Sequence, residues 1–182
     1  MKKAVTSVAL LATLTGCASL PVPTPESNNA ILAVPVVAEN DSNSTGYAYG
    51  YVMRMMNQET NERTSFNIKP QNGTRVKIID DLPPGSYCFD GYFSRPEKKD
   101  GYRYTYDSEY LPYESCFELE ASTLTVWQNK VAVYVYTDEK DRRSTWQRHA
   151  FTELEESERE NVEARLLEMK NIELWQPIVW SE

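Results

Sequence analysis

Hydrophobic and polar positions divide the chain into four stretches. Ala4 to Leu14 is a mostly apolar run behind Lys2 and Lys3. It is shorter than the roughly 20 residues that span a bilayer. Ala18 to Asn29 has no period. Pro21, Pro23 and Pro25 favour an extended polyproline segment there, which at about 3.1 Å per residue reaches on the order of 35 Å. From Ile31 to Tyr136 short runs of period two alternate with turn residues, the signature of strands. After Thr152 the period lengthens to that of a helix.

Within the strand region, Ile31 to Val37 is the first candidate, and Pro35 places it at an edge or a bend. Tyr47 to Met56 suits a second strand, with Met53, Met55 and Met56 as core filling. Phe66 and Ile68 alternate on one run, and Val76 and Ile78 on the next. Asn72-Gly73 lies between them and predicts a type I′ hairpin, because this pair tolerates the positive φ angles that turn needs. Asp80 to Gly85 turns the chain into Ser86 to Phe93, where Tyr87, Phe89 and Phe93 fall on one face and Cys88, Asp90 and Tyr92 on the other. Phe117 and Leu119 share a face, opposite Cys116, Glu118 and Glu120. Trp127 and Val131 to Tyr136 supply another buried strand.

Thr152-Glu153-Leu154-Glu155 has the spacing of a capping box and predicts a helix from Glu153 to Lys170. Its apolar face carries Leu154, Val162, Leu166 and Met169, and Glu155 can pair with Arg159 at i, i+4. Asn171 ends it. Ile172 to Trp180 is an apolar tail, packed as a strand or against the strands; the alternative is a partner-binding tail.

The residues that close the first run change the picture. Charged start, apolar run and small residues have the layout of a secretory signal peptide. Leu14-Thr15-Gly16-Cys17 resembles the lipobox of bacterial lipoproteins. The resemblance implies cleavage before Cys17, with a diacylglyceryl group on its thiol and an acyl group on the new amine. Several chains are needed because each buried CH₂ contributes roughly 0.8 kcal/mol and one acyl chain holds a protein only reversibly. Ala18 stands where aspartate retains such proteins at the inner membrane, so the resemblance implies the outer membrane, with the domain facing the periplasm. The alternative is a secreted protein cut near Ala18 or Ser19.

Removing residues 1–16 leaves 166 residues and 17 basic side chains against 27 acidic, a net charge of −10. Such a chain repels phosphate backbones, which argues against nucleic acid, and repels anionic lipid surfaces, which leaves membrane attachment to the lipid. With Cys17 assigned to lipid, Cys88 and Cys116 remain as an even pair in an exported chain, the usual setting for a disulfide. Both lie on the polar side of their strands. A cross-strand bridge fits if those strands are neighbours, and two buried thiols are the alternative.

Leu82-Pro83-Pro84-Gly85-Ser86-Tyr87, then Cys116-Phe117-Glu118-Leu119, then Val131 to Tyr136, is similar to the prealbumin-like (transthyretin-like) and carboxypeptidase-regulatory-like domains. Ala121-Ser122-Thr123 stands where those have a glycine turn. The resemblance implies a mainly β, immunoglobulin-like antiparallel β-sandwich. Six or seven short strands with regular turn signals point the same way. The expected organisation is a signal peptide over 1–16, a tether over 17–29, a β-sandwich over 30–138, and a C-terminal helix with apolar tail over 139–182.

No catalytic constellation is legible. His149, the single histidine, has no nucleophile pattern near it and reads as a surface or structural residue. Neither cysteine has a ligand at metal spacing, and the seven glycines form no phosphate loop. The sequence therefore predicts no enzyme, cofactor or metal. The expected role is a protein-binding or scaffolding part of the envelope. The alternative is a glycan- or peptide-binding module. Its candidate residues are Tyr102, Tyr104 and Tyr106, which alternate along one face of an extended segment, with Tyr110 and Tyr113 beyond.

Overall fold

The computed structural model describes residues 19–23, 28–42, 46–96, 110–138, 140 and 144–181. The expected signal peptide and Cys17 lie outside the described residues, as do Tyr102, Tyr104 and Tyr106. The strands are β1 (Ala30–Asn40), β2 (Tyr49–Asn57), β3 (Arg63–Ile68), β4 (Gly73–Leu82), β5 (Gly85–Pro96), β6 (Ser115–Leu119), β7 (Leu124–Val126), β8 (Asn129–Thr137), β9 (Thr145–Glu153) and β10 (Ile178–Trp180). One helix, α1 (Glu156–Leu167), and a 3₁₀ turn, Ile172–Leu174, precede β10.

They form a β-sandwich with a single C-terminal helix. The larger sheet runs β10-β7-β1-β8-β9, with β4 on the remaining edge of β1, and the smaller runs β3-β2-β5-β6. The smaller sheet is antiparallel throughout. The larger is mixed, because β1 pairs parallel with β7 and β8, and β10 parallel with β7. The strands of the sandwich also extend past residue 138, since β9 pairs with β8 along its whole length.

β1 is the centre of the larger sheet, not an edge. Leu32, Val34 and Val36 face the core between the sheets. Ile31 and Ala33 face a second core, built with α1 and the C-terminal tail. A strand covered on both faces reads as a continuous apolar run rather than an alternating one. Pro35 survives there because of a gap. β4 takes one edge of β1; on the other, β7 covers residues 31–33 and β8 begins at Val36. Ile31 donates its N–H toward the β7 edge, so by alternation Pro35 would too. That position falls between β7 and β8, where no ladder donor is missed.

Two turn expectations are corrected. Asn72-Gly73 closes no hairpin: β3 pairs with β2 in the smaller sheet, and β4 with β1 in the larger. Phe66 and Ile68 enter the core between the sheets, whereas Val76 and Ile78 pack on the helix side. The hairpin is β2–β3 instead. Its turn is closed by Asn57 N–H on the Glu62 carbonyl at 2.9 Å, with Asn57 Oδ1 accepting from Glu59 and Thr60 N–H. At the next crossing, from β4 to β5, the Tyr87 hydroxyl donates to the Pro83 carbonyl at 2.9 Å and pins the corner.

The helix begins three residues later than expected. Thr152 and Glu153 end β9, and the capping box is Glu155 with Glu158. Leu154, Val162, Leu166 and Met169 all enter the second core. Arg159 lies over the Trp180 ring, its guanidinium carbon 5.2 Å from the ring centroid. Met53 and Met55 are buried between the sheets, whereas Met56 is on the outer face, opposite Cys88. Ser19 to Pro21, expected as free tether, are held on the C-terminal segment: Leu20 N–H donates to the Lys170 carbonyl at 3.0 Å, and Leu20 is 2% exposed.

Cys88 and Cys116 face each other across the β5–β6 ladder and are bridged, with Cα atoms 4.0 Å apart. The bridge ties β6, an edge strand, to the sheet. Replacing both cysteines by alanine will lower unfolding free energy by about 3–4 kcal/mol, from loop-closure entropy over a separation of 28 residues. Urea denaturation measures this, and the alanine form will still fold, because both positions lie outside the core.

Candidate functional site

The tyrosine segment meets the fold through a bulge in β5. Arg54 of β2 pairs with Gly91, and Met55 with Phe89, which leaves Asp90 as an extra residue. The bulge shifts the phase of β5. Tyr92, not Phe93, joins Tyr87 and Phe89 on the core side, while Phe93 faces outward opposite Val52. Gly91 takes φ +146°, a value that side chains with a Cβ rarely adopt. A glycine inside an alternating run was the available signal for this bulge.

Asp90 organises the outer face there. Arg54 Nε donates to both its oxygens, at 2.8 and 3.0 Å, and the Tyr110 hydroxyl donates to Oδ1 at 2.7 Å. Arg63 Nε lies 3.5 Å from Oδ2. The Arg54 guanidinium also stacks over the Tyr110 ring, 4.0 Å from its centroid. Burial alone would raise the Asp90 pKa, but hydrogen bonds from Arg54 and Tyr110 and the charges of Arg54 and Arg63 outweigh it and hold the carboxyl below its ordinary range. Burial first, then the hydrogen bond to Asp90, pushes the Tyr110 hydroxyl up to about 12. Leu111 and Tyr92 exchange backbone hydrogen bonds at 2.8 and 2.9 Å. Tyr110 is therefore a strap clasped to the sheet. Tyr113 packs against the sandwich core, stacked on Phe151 with centroids 4.2 Å apart.

Between the sheets, aromatic rings run from Phe117 through Phe89 and Trp127 to Phe151, Tyr92 and His149. His149 Nε2 lies 2.9 Å from the Tyr92 hydroxyl, and its ring 4.7 Å from Tyr51. Burial lowers the His149 pKa from 6.5 and raises that of Tyr92, so the pair is neutral at pH 7. Beside it Gln147 accepts from Ala48 and Tyr49 N–H and donates to the Tyr51 hydroxyl at 2.8 Å. These contacts lock β9 onto the smaller sheet. His149 thus sits among the rings of Tyr51, Tyr92 and Phe151 on the inner side of β9.

A surface the sequence reading missed lies on the outer face of β8 and β9. Val131, Val133 and Val135 point into the core, which sends Tyr134 and Tyr136 outward. In register, Tyr134 pairs with Arg148 and Tyr136 with Trp146. The two tyrosine rings stack with centroids 5.7 Å apart, and the Arg148 guanidinium lies 5.1 Å from the Tyr136 centroid. The Tyr134 hydroxyl donates to Asp41 at 2.8 Å. Tyr134 is 40% exposed and Trp146 54%. Among the described residues, the second core draws on β1, β4, β7 and β10 and includes none of Tyr134, Tyr136, Trp146 and Arg148. The signal for this outward face is the alternation of valine with alanine and tyrosine from Val131 to Tyr136.

Among the described residues, no group of three or more His, Cys, Asp or Glu converges to hold a metal ion, and no helix is long and apolar enough to cross a membrane. Compared with protein-family models, curated proteins and solved structures, the chain finds no match.

Two predictions follow from this geometry. A Cβ at Gly91 would lie 2.5 Å from the Leu111 carbonyl oxygen and 2.5 Å from Tyr110 Cζ. Gly91→Ala will therefore cost about 2–4 kcal/mol in urea unfolding and release the Tyr110 strap to faster backbone exchange. His149 acts through pH. Its folded pKa is depressed, so the unfolded chain takes up the proton first as pH falls. The stability it contributes is complete above its ordinary pKa of 6.5 and declines as pH drops below that value. The melting temperature will fall as pH drops from 7 through 6.5, and His149→Gln will flatten that slope.

Proposed function

We propose that the chain is a non-enzymatic, lipid-anchored envelope protein that holds a protein partner at the periplasmic face of the outer membrane. The observation that carries the binding half is the Tyr134-Tyr136-Trp146-Arg148 face. Tyrosine, tryptophan and arginine are the residue types that dominate binding hot spots. Here they stand on paired strands, with Tyr134 stacked on Tyr136 and Arg148 over the Tyr136 ring, so little side-chain entropy is lost by these three on contact. Trp146 and Arg148 lie on β9, at the end of the sheet order. A partner can therefore reach the rings and the strand edge together.

The anchoring half is supported by the lipobox at Leu14-Thr15-Gly16-Cys17. It is supported also by the Cys88–Cys116 bridge, which suits an oxidising compartment. The acidic balance suits a partner with basic surface.

Membrane-extracted protein will carry the mass of a diacylglyceryl and an acyl group on Cys17. A photo-crosslinker in place of Trp146 will give one discrete adduct in intact cells. Tyr134→Ala with Arg148→Glu will abolish that adduct and leave the melting temperature nearly unchanged, because both side chains point outward. An unmodified Cys17 would overturn the anchor. Loss of the fold in the double variant, or a smear of unrelated adducts, would overturn the interface.

A further inference from the structure

The chain is clamped to its own body within a few residues of the proposed anchor. Leu20 lies in the core between the larger sheet and α1. Its N–H donates to the Lys170 carbonyl at 3.0 Å, and its carbonyl accepts from Asn171 Nδ2 at 2.8 Å. The next carbonyl, Pro21, accepts from Trp175 Nε1 at 2.8 Å. Cys17 precedes Leu20 by three residues. At no more than about 3.6 Å per residue, its Cα stays within roughly 11 Å of that of Leu20. The headgroup layer of one leaflet is about 5–7 Å thick. A leash this short cannot lift the domain clear of the lipid that holds it.

Large apolar side chains are exposed among charged ones beside the clamp in the chain. Val22 is 63% exposed, Leu167 65% and Leu174 46%. Val22 follows the clamped Pro21, Leu167 closes the last turn of α1, and Leu174 precedes Trp175. Lys170, whose backbone bridges Ser19, lies between the two leucines in the chain. Single exposed leucines on a surface are ordinary. Here, of the five large apolar side chains exposed among the described residues, three border the clamp and the other two, Tyr134 and Trp146, belong to the aromatic face.

We propose that this end of the domain docks on the bilayer, with Val22, Leu167 and Leu174 entering the boundary between headgroups and acyl chains. The inference rests on lipidation of Cys17. The anchor has already met the translational cost of association, so a small apolar contact suffices to hold the domain down. Exposed Glu168, Lys170 and Glu173 flank the patch, with Arg165 paired to Glu168 at 3.2 Å, so the local charge is balanced and docking does not call for anionic headgroups. Docking fixes the orientation of the domain, and with it the direction in which the aromatic face is presented.

The test uses the full lipidated chain in vesicles of phosphatidylethanolamine and phosphatidylcholine. With Cys17 capped by lipid and Cys88 bridged to Cys116, a cysteine introduced as Leu174→Cys is the one free thiol, and it takes an environment-sensitive fluorophore. Asn67→Cys, exposed on β3 of the smaller sheet, carries the control label. Docking predicts blue-shifted emission at 174 and quenching by a headgroup-level lipid spin label several-fold stronger than at 67. Equal, water-like emission from both labels on protein that co-floats with vesicles overturns docking and leaves lipidation standing. Protein that lacks lipid mass and does not float overturns lipidation, and docking with it.

Discussion

The structure depends on one strand having apolar side chains on both faces. Along β1, Leu32, Val34 and Val36 fill the space between the sheets while Ile31 and Ala33 fill the space under the helix. Burying a side chain of this kind contributes about 1.5–3 kcal/mol, and here successive residues do so in opposite directions. That makes the molecule three layers deep. A helix of 12 residues is marginal on its own in water; α1 persists because Val162 and Leu166 have the outer face of β1, β4 and β7 to cover. Lys130 and Glu158 fix where it starts. The ion pair is nearly buried, and Glu158 also receives the Glu155 N–H at 2.8 Å, so one carboxylate sets both the helix terminus and its seat on β8. A buried pair of this kind specifies position more than it adds stability.

The helix layer divides the outer face of the larger sheet into unlike halves. Over β1, β4 and β7 it is closed, and its far border is the Leu20 clamp. Beyond Lys130, the described residues leave β8 and β9 open there, and the side chains are Tyr134, Tyr136, Trp146 and Arg148. The Leu20 clamp and the aromatic face thus belong to one body built on the larger sheet. Whatever holds the clamp in place also orients the aromatic face, through the ladder that joins β1, β8 and β9.

The alternation of residues was enough to place most strands, to put Cys88 and Cys116 on the outer side, and to choose the apolar face of α1. Where the structure departs from these expectations, a tertiary arrangement overrides a local preference. Pro35 signals an edge only if every position of a central strand needs its donor, and the gap between β7 and β8 removes that need. Asn72-Gly73 is a good turn pair, but the flanking side chains belong to different cores, so the turn joins two sheets. The clamp at Leu20 had no local signal, since its partners lie some 150 residues away. In the candidate surfaces, Gly91 could have revealed that Tyr92 turns inward. The outward tyrosines of β8 were legible as alternation once its neighbour on the outer face was known to be solvent.

Native-state hydrogen exchange, followed residue by residue, tests the three-layer arrangement most directly. If β1 is covered on both faces and Leu20 is pinned beneath the helix, then the amides of Leu32 to Val34 exchange only through global unfolding, and that of Leu20 is protected together with α1. Exchange of those β1 amides at the rate of edge strand β3, or of Leu20 at the rate of an unstructured chain, would contradict it.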